Sequence, residues 1–393
     1  MQNTETSWLK VAVLIGAGAA VALQIGKVPA ALPALQVELG LSLVQSGWVV
    51  SIFSIIAAGL AVFLGIVSDR FGHASVAVFG MLLTAAAGIA GGFASGGNAL
   101  LITRVFEGLG FILTAISVPP LIIFVAAEKH RKTSLALWGM YLPLGSSLML
   151  AFSGPLLFYF DWRILWWVTA SLILVISIPV YFVGSRLSSS TIEQTLRPGF
   201  AEIIKLAGRR DPVLLSVIFA FYSALFLIVT GFLPLILIEL NGFSLFAAAS
   251  VSAVVVFCNL LGNAFSGWLH NHRFQFFWLI LIGSFGMAIG GTIVFTQEVS
   301  GFWRVVAAAG FCGFAGLVPS SLFTQLPRYS PRQSVMATIS GMLVQGSAVG
   351  QLAGPTIAAG IVAWYGDWSA VIPIMILGAT IMSACIVILS RNV

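Results

Sequence analysis

GIVSDRFGH, Gly65 to His73, is the most polar short run in the first part of an otherwise apolar chain. Long apolar segments flank it on both sides, so the run is predicted to be a tight loop joining two of them. Each residue type has a physical reason to be there. Gly65 lets two helices approach closely, and Gly72 supplies a turn position free of Cβ strain. Asp69 and Arg70 form a charged latch where the chain meets water.

Composition places that loop in a membrane. Of 393 residues, 59% are apolar and 8% charged, and the mean hydropathy is +1.07. Soluble domains average about a quarter charged residues. A chain this poor in charge cannot cover a hydrated globule, and it fits a polytopic protein solvated by lipid. The formal net charge of +6 is therefore read as orientation in the bilayer, not as a nucleic-acid footprint. Cys258, Cys312 and Cys385 all fall in apolar runs without metal-ligand spacing, which points to packing. The opening MQNTETSWLK lacks a basic leader and cleavage site, so the first apolar segment is expected to be retained. No phosphate-binding loop, metal cluster or nucleophile–base pair is visible. The expectation is a protein that is not an enzyme, has no cofactor, and draws on an ion or solute gradient.

A spanning helix needs about twenty apolar residues. On that count the chain holds twelve segments: 8–32, 45–67, 74–94, 99–127, 134–160 and 162–184, then 213–239, 245–268, 274–296, 302–326, 334–363 and 368–390. The predicted fold class is all-α, with bundles at 1–184 and 213–393 joined by a polar linker at 185–212. Phe200, Ile203, Ile204 and Leu206 recur in that linker at near-helical spacing, as in a short surface helix. Lys10, Arg70, Lys129, Arg131, Lys132, Arg273, Arg328, Arg332 and Arg391 fall on one side with the linker bases. Glu38, Asp161, Glu239, Glu298 and Asp367 fall on the other, where Arg163 is the one clear base. Both termini are therefore expected in the cytoplasm.

The two halves repeat. Leu32 to Ser42 parallels Leu233 to Ser244, with Pro33 matching Pro234 and Glu38 matching Glu239. Arg104 matches Arg304, Gly110-Phe111 matches Gly310-Phe311, and Val118-Pro119 matches Val318-Pro319. Gly154-Pro155 and Asp161-Trp162 match Gly354-Pro355 and Asp367-Trp368. Landmarks in one order imply two parallel six-helix repeats.

Gly65, Asp69-Arg70 and Gly72 together resemble the loop signature of the major facilitator superfamily of transporters. The second copy keeps Gly267 but has Asn271 at the place of Asp69, and the first ends in His73-Ala74 where that family usually has bases. Gly145 followed by Gly154-Pro155 resembles the antiporter motif of the same family, with Phe158-Tyr159 replacing its double glycine. The region from KVPAALP to ELGLS is similar to the cyanate and nitroimidazole transporter-like branch. The resemblance implies two six-helix bundles around a central cavity, working by alternating access, with segments one, four, seven and ten lining it. It also implies a monomer in a bacterial cytoplasmic membrane, with the lipid bilayer, a small-molecule substrate and a coupling proton as partners and no nucleic acid.

Ionisable groups inside the bilayer are costly and therefore informative. Lys27 lies in segment one, Arg104 and Glu107 in segment four, and Arg304 in segment ten. From the segment ends, Lys27 and Arg104 are each expected roughly 9 Å below the outer surface. If segments one and four adjoin, Lys27, Arg104 and Glu107 meet, and Arg304 enters from the second half. Three cations against one carboxylate suggest an anion site. Glu107 either pairs with Arg104 or carries a proton. Arg104 has a second reading in helix packing, and Lys27 in snorkelling to the interface. Gln24, Tyr141, Tyr222, Asn259, Asn263, Gln345 and Gln351 are candidates for hydrogen bonds to substrate or between helices. Gly145, Gly154-Pro155 and Gly354-Pro355 are read as packing positions. Trp138, Trp166, Trp167, Trp303 and Trp368 are assigned to an interfacial belt. The leading expectation is proton-coupled uptake of a small organic or inorganic anion. The alternatives are proton-driven export of a drug or metabolite and, further off, a non-transporting sensor.

Overall fold

A computed structural model describes residues 5–185, 209–272, 274–325 and 333–391. The linker helix expected at Phe200 to Leu206 lies outside these. Among the described residues, twelve helices are long and apolar enough to cross a membrane, and the chain is helical throughout. The helices are α1 Trp8–Leu39, α2 Leu43–Ser51, α3 Ile55–Phe71, α4 His73–Gly92, α5 Gly97–Val125, α6 Arg131–Trp138, α7 Tyr141–Tyr159 and α8 Arg163–Ser185. After the linker come α9 Arg210–Asn241, α10 Leu245–Asn271, α11 Phe276–Phe295, α12 Gly301–Thr324, α13 Gln333–Tyr365 and α14 Ile372–Ser390.

Helix ends depart from the sequence expectation for local reasons. α1 runs on past Leu32 through Pro33 and Glu38, and stops where Gly40 turns left-handed at φ 62. The second apolar segment starts at a capping box. The Gln45 amide donates to Ser42 Oγ at 3.2 Å, and Ser42 N donates to Gln45 Oε1 at 2.9 Å. It then kinks through a short 3₁₀ turn at Ile52–Ser54 between α2 and α3. The fifth segment divides into α6 and α7. The break falls just before Pro143, which sits in the first turn of α7, where its missing N–H costs nothing.

GIVSDRFGH is not a loop. α3 continues through Asp69, Arg70 and Phe71, and the connection to α4 is the single residue Gly72 at φ 91. Gly72 therefore carries the conformational demand. A Cβ on Gly65 would meet nothing within 4 Å, so close helix approach does not explain that glycine. Arg70 is exposed, with its guanidinium 5.9 Å from the Phe71 ring centroid. The Asp69 side chain lies outside the described residues. The turn is anchored instead by buried Ser68, whose hydroxyl is 2.7 Å from Ser117 Oγ and 2.9 Å from His73 Nδ1.

The contacts group the chain into two compact units. One holds α1, α3 from Phe63 onward, α4 to α8, and residues 245–253 of α10. The other holds residues 42–62, α9, the rest of α10, and α11 to α14. In the first unit α1 packs on α5, α7 and α8, and α4 packs on α5 and α8. Small residues set those distances. A Cβ on Gly145 would overlap the Ala19 carbonyl, and one on Gly154 would press Ser250 and Phe246. In the second unit Gly346, Gly350 and Gly354 of α13 abut Ser216, Ala220 and Ala224 of α9. Pro155 and Pro355 each follow their glycine inside the helix.

One tie recurs in both units. Trp162 Nε1 donates to Glu38 Oε2 at 2.8 Å, joining the start of α8 to the end of α1. Trp368 Nε1 donates to Glu239 Oε2 at 2.9 Å, joining the approach to α14 to the end of α9. Both indoles are buried.

Candidate functional site

A buried charge cluster lies inside the first unit. Lys27 Nζ on α1 is 2.7 Å from Glu107 Oε1 on α5. The other carboxylate oxygen, Oε2, pairs with Arg104 one turn earlier on α5. All three side chains are at most 1% exposed. Arg104 Nη1 also donates to the Gln24 main-chain oxygen at 3.3 Å. The Lys27 ammonium lies 4.3 Å from the centroid of the Trp166 ring, a cation–π contact from α8. Trp166 meets Trp162 edge to face, with centroids 5.1 Å apart.

The sequence builds this locally in three ways. Gln24 and Lys27 stand one turn apart on one face of α1, as do Arg104 and Glu107 on α5. Pro29 has no N–H to offer the carbonyl of Ile25, which opens the α1 ladder beside the turn where Arg104 bonds main chain. Gly26 keeps the far side of α1 slim, because a Cβ there would strike the Ser146 carbonyl of α7. Depth differs from expectation. α1 extends to Leu39, so Lys27 lies twelve residues from that end, roughly 18 Å along the axis. Arg104 is seven residues into α5, roughly 10 Å from its start at Gly97.

The electrostatics leave a surplus. Two buried cations share one carboxylate, so these three side chains sum to one positive charge when all are ionised. Charges taken out of water are tolerated only when paired and hydrogen-bonded. Gln24 adds a second unmet demand. It is fully buried, and neither atom of its side-chain amide has a hydrogen-bond partner among the described residues. An unmet buried polar group costs about 1–3 kcal/mol.

The remaining sequence candidates stand elsewhere. Tyr141 stacks on Trp138 with centroids 4.3 Å apart and packs at Gly18, roughly 13 Å along α1 from Lys27. Arg304, in the second unit, is fully buried, but its guanidinium is spent on the end of α9 and on the end of α11 and the connection that follows it. Nε donates to Asn241 Oδ1 at 2.7 Å, Nη2 to the Gln297 and Val299 carbonyls at 3.0 and 3.1 Å, and Nη1 to the Val294 carbonyl. Tyr222 stacks between Phe219 and Phe226 and accepts from Asn259 Nδ2 at 3.5 Å. Gln345 Nε2 donates to the Ala58 carbonyl at 2.9 Å, and Gln351 Nε2 to Ser347 Oγ at 3.1 Å. At the repeat offset Lys27 corresponds to Ile228 and Glu107 to Ala307, so the second half has no equivalent triad.

Trp166 is the residue that sequence reading missed. It is fully buried under Lys27 rather than in a belt, and Trp138 and Trp368 are buried too. Trp303 is 62% exposed and fits the belt. The available signal was periodicity: Trp166, Ala170 and Ile173 recur at helical spacing on the buried face of α8.

Residues 14–288 match the family profile described as Major Facilitator Superfamily. The methyl viologen resistance protein SmvA of Salmonella typhimurium is 27% identical over 173 residues, covering 43% of this chain and 34% of that protein. The match thus spans about a third of that relative. A putative niacin/nicotinamide transporter, NiaP, of Bacillus subtilis is 23% identical over 94% of this chain and 92% of its own. A bacterial homologue of the human lysosomal transporter Spinster, solved inward-facing and occupied, superposes with TM-score 0.65 at 16% identity. That likeness covers 98% of this chain and 94% of the solved one, and it concerns the fold.

Proposed function

Because the chain belongs to the major facilitator superfamily of membrane transporters, we propose that it carries a small anion across the membrane and binds it at Lys27, Arg104 and Gln24. The observation that carries this reading is the buried pair of cations sharing the single carboxylate of Glu107. An incoming anion supplies the missing negative charge. It also competes with Glu107 for both cations. The transport proposed is proton-coupled uptake. A relative that matches almost end to end is named a putative niacin/nicotinamide transporter, and of those two solutes niacin is a carboxylate at neutral pH. Both termini face the cytoplasm in this reading, and the protein works as a monomer in a bacterial cytoplasmic membrane. The bundles 1–184 and 213–393 alternate access, with Gly65, Asp69, Arg70 and Gly72 as the gating segment.

The test is anion uptake by the purified protein in liposomes under an inward proton gradient. Lys27→Gln removes one cation and leaves the cluster neutral, so uptake of a small carboxylate should fall more than ten-fold. Parent-like uptake in that variant overturns the assignment. A second reading, proton-driven export, is favoured by the resistance relatives and by the Gly145 to Pro155 pattern. It predicts instead that expression raises tolerance to a cationic compound such as methyl viologen, and that Glu107→Gln abolishes the effect.

A further inference from the structure

The unpartnered amide of Gln24 narrows the class of anion, and the argument rests on the anion reading above. Gln24 and Lys27 lie one turn apart on the same face of α1, and Arg104 touches the Gln24 main chain. Amide, ammonium and guanidinium therefore belong to one buried neighbourhood. With all three groups ionised the cluster holds two positive charges and one negative, which favours a single added negative charge over two. The amide sets a different condition. Its Nε2 needs an acceptor and its Oε1 needs a donor, and neither is supplied by the protein. A bare carboxylate has acceptors only, so it satisfies Nε2 and leaves Oε1 unmet.

We infer that the transported solute is a small monocarboxylate with a hydroxyl or amide group beside its carboxylate. Lys27 and Arg104 take the carboxylate, and Gln24 takes the neighbouring group as both donor and acceptor. A dianion overcharges the cluster, and a plain acid leaves a buried carbonyl unsatisfied. One neutral hydrogen bond of this kind discriminates by up to about ten-fold.

The experiment uses the full-length protein in lipid nanodiscs and reads protection against thermal unfolding as propionate, lactate or succinate is titrated in. In the parent, lactate should act at about ten-fold lower concentration than propionate, with succinate weakest. In Gln24→Leu the lactate advantage should disappear, with propionate affected less than lactate. Gln24→Met serves as a second apolar variant should the first fail to fold. Equal lactate and propionate in the parent overturn the inference while leaving the anion reading intact. A lactate advantage that survives in either variant also overturns it, since Gln24 then does no more than pack or hold water. If none of the three acids protects the parent, the inference and the anion reading fall together.

Discussion

Glu107 is the residue on which the buried cluster depends. Its two oxygens serve two different cations, so its loss removes the carboxylate partner of both at once. Breaking a buried pair by removing one partner costs about 3–5 kcal/mol. Glu107→Ala should lower stability by about that amount, seen as a lower denaturant midpoint for the purified protein. Glu107→Gln retains an acceptor oxygen and should lose less. A Glu107→Ala midpoint equal to the parent's would mean the cations find other partners. The triad was legible in the sequence, because charges are so rare in these segments that three of them near one level implied a meeting. Arg304 shows the limit of that logic. It too is a lone buried charge, but it bonds carbonyls at the end of α11 and in the connection to α12, and carbonyls carry no residue-type signal.

Helices in lipid have no hydrophobic drive toward one another, so small residues decide how close they come. On α13, Gly350 meets the Ala220 carbonyl of α9, whereas Gly360 on the same helix has open space around it. Gly350→Ala should force the two helices apart and lower the melting temperature in detergent. Gly360→Ala should leave it unchanged or raised, since alanine favours helix over glycine by about 1 kcal/mol. Equal effects of the two would show that contact across this pair does not limit stability. Element existence was readable from apolar run length. Element ends were not, because they follow local devices: the Ser42–Gln45 box, the left-handed Gly40 and Gly72, and the break before Pro143. Gly72 is the clearest case. The charges beside it suggested a loop, yet the helix runs on through its last turn, where Arg70 is exposed, and one glycine suffices for the turn.

For the whole molecule, the gating role proposed for the segment around Gly72 predicts an effect on rates rather than on recognition. Asp69→Asn should change the turnover number for solute uptake several-fold and leave the half-saturating solute concentration near that of the parent. Unchanged turnover would remove the gating role. The twelve spans and the family membership followed from hydropathy and short motifs, because lipid leaves few alternatives to apolar helices. The grouping of residues 42–62 with α9 and α13, and of 245–253 with α1 and α7, had no such signal, since apolar surfaces of lipid-solvated helices look alike whichever neighbour they meet. The paired indole–carboxylate ties have an optical consequence. Indole emission responds to charge accepted at its N–H, and Trp162 and Trp368 each donate to a carboxylate inside a different unit. With the other nine tryptophans replaced, Trp162 and Trp368 would leave one carboxylate-bonded indole in each unit, a pair of reporters for following the two units separately.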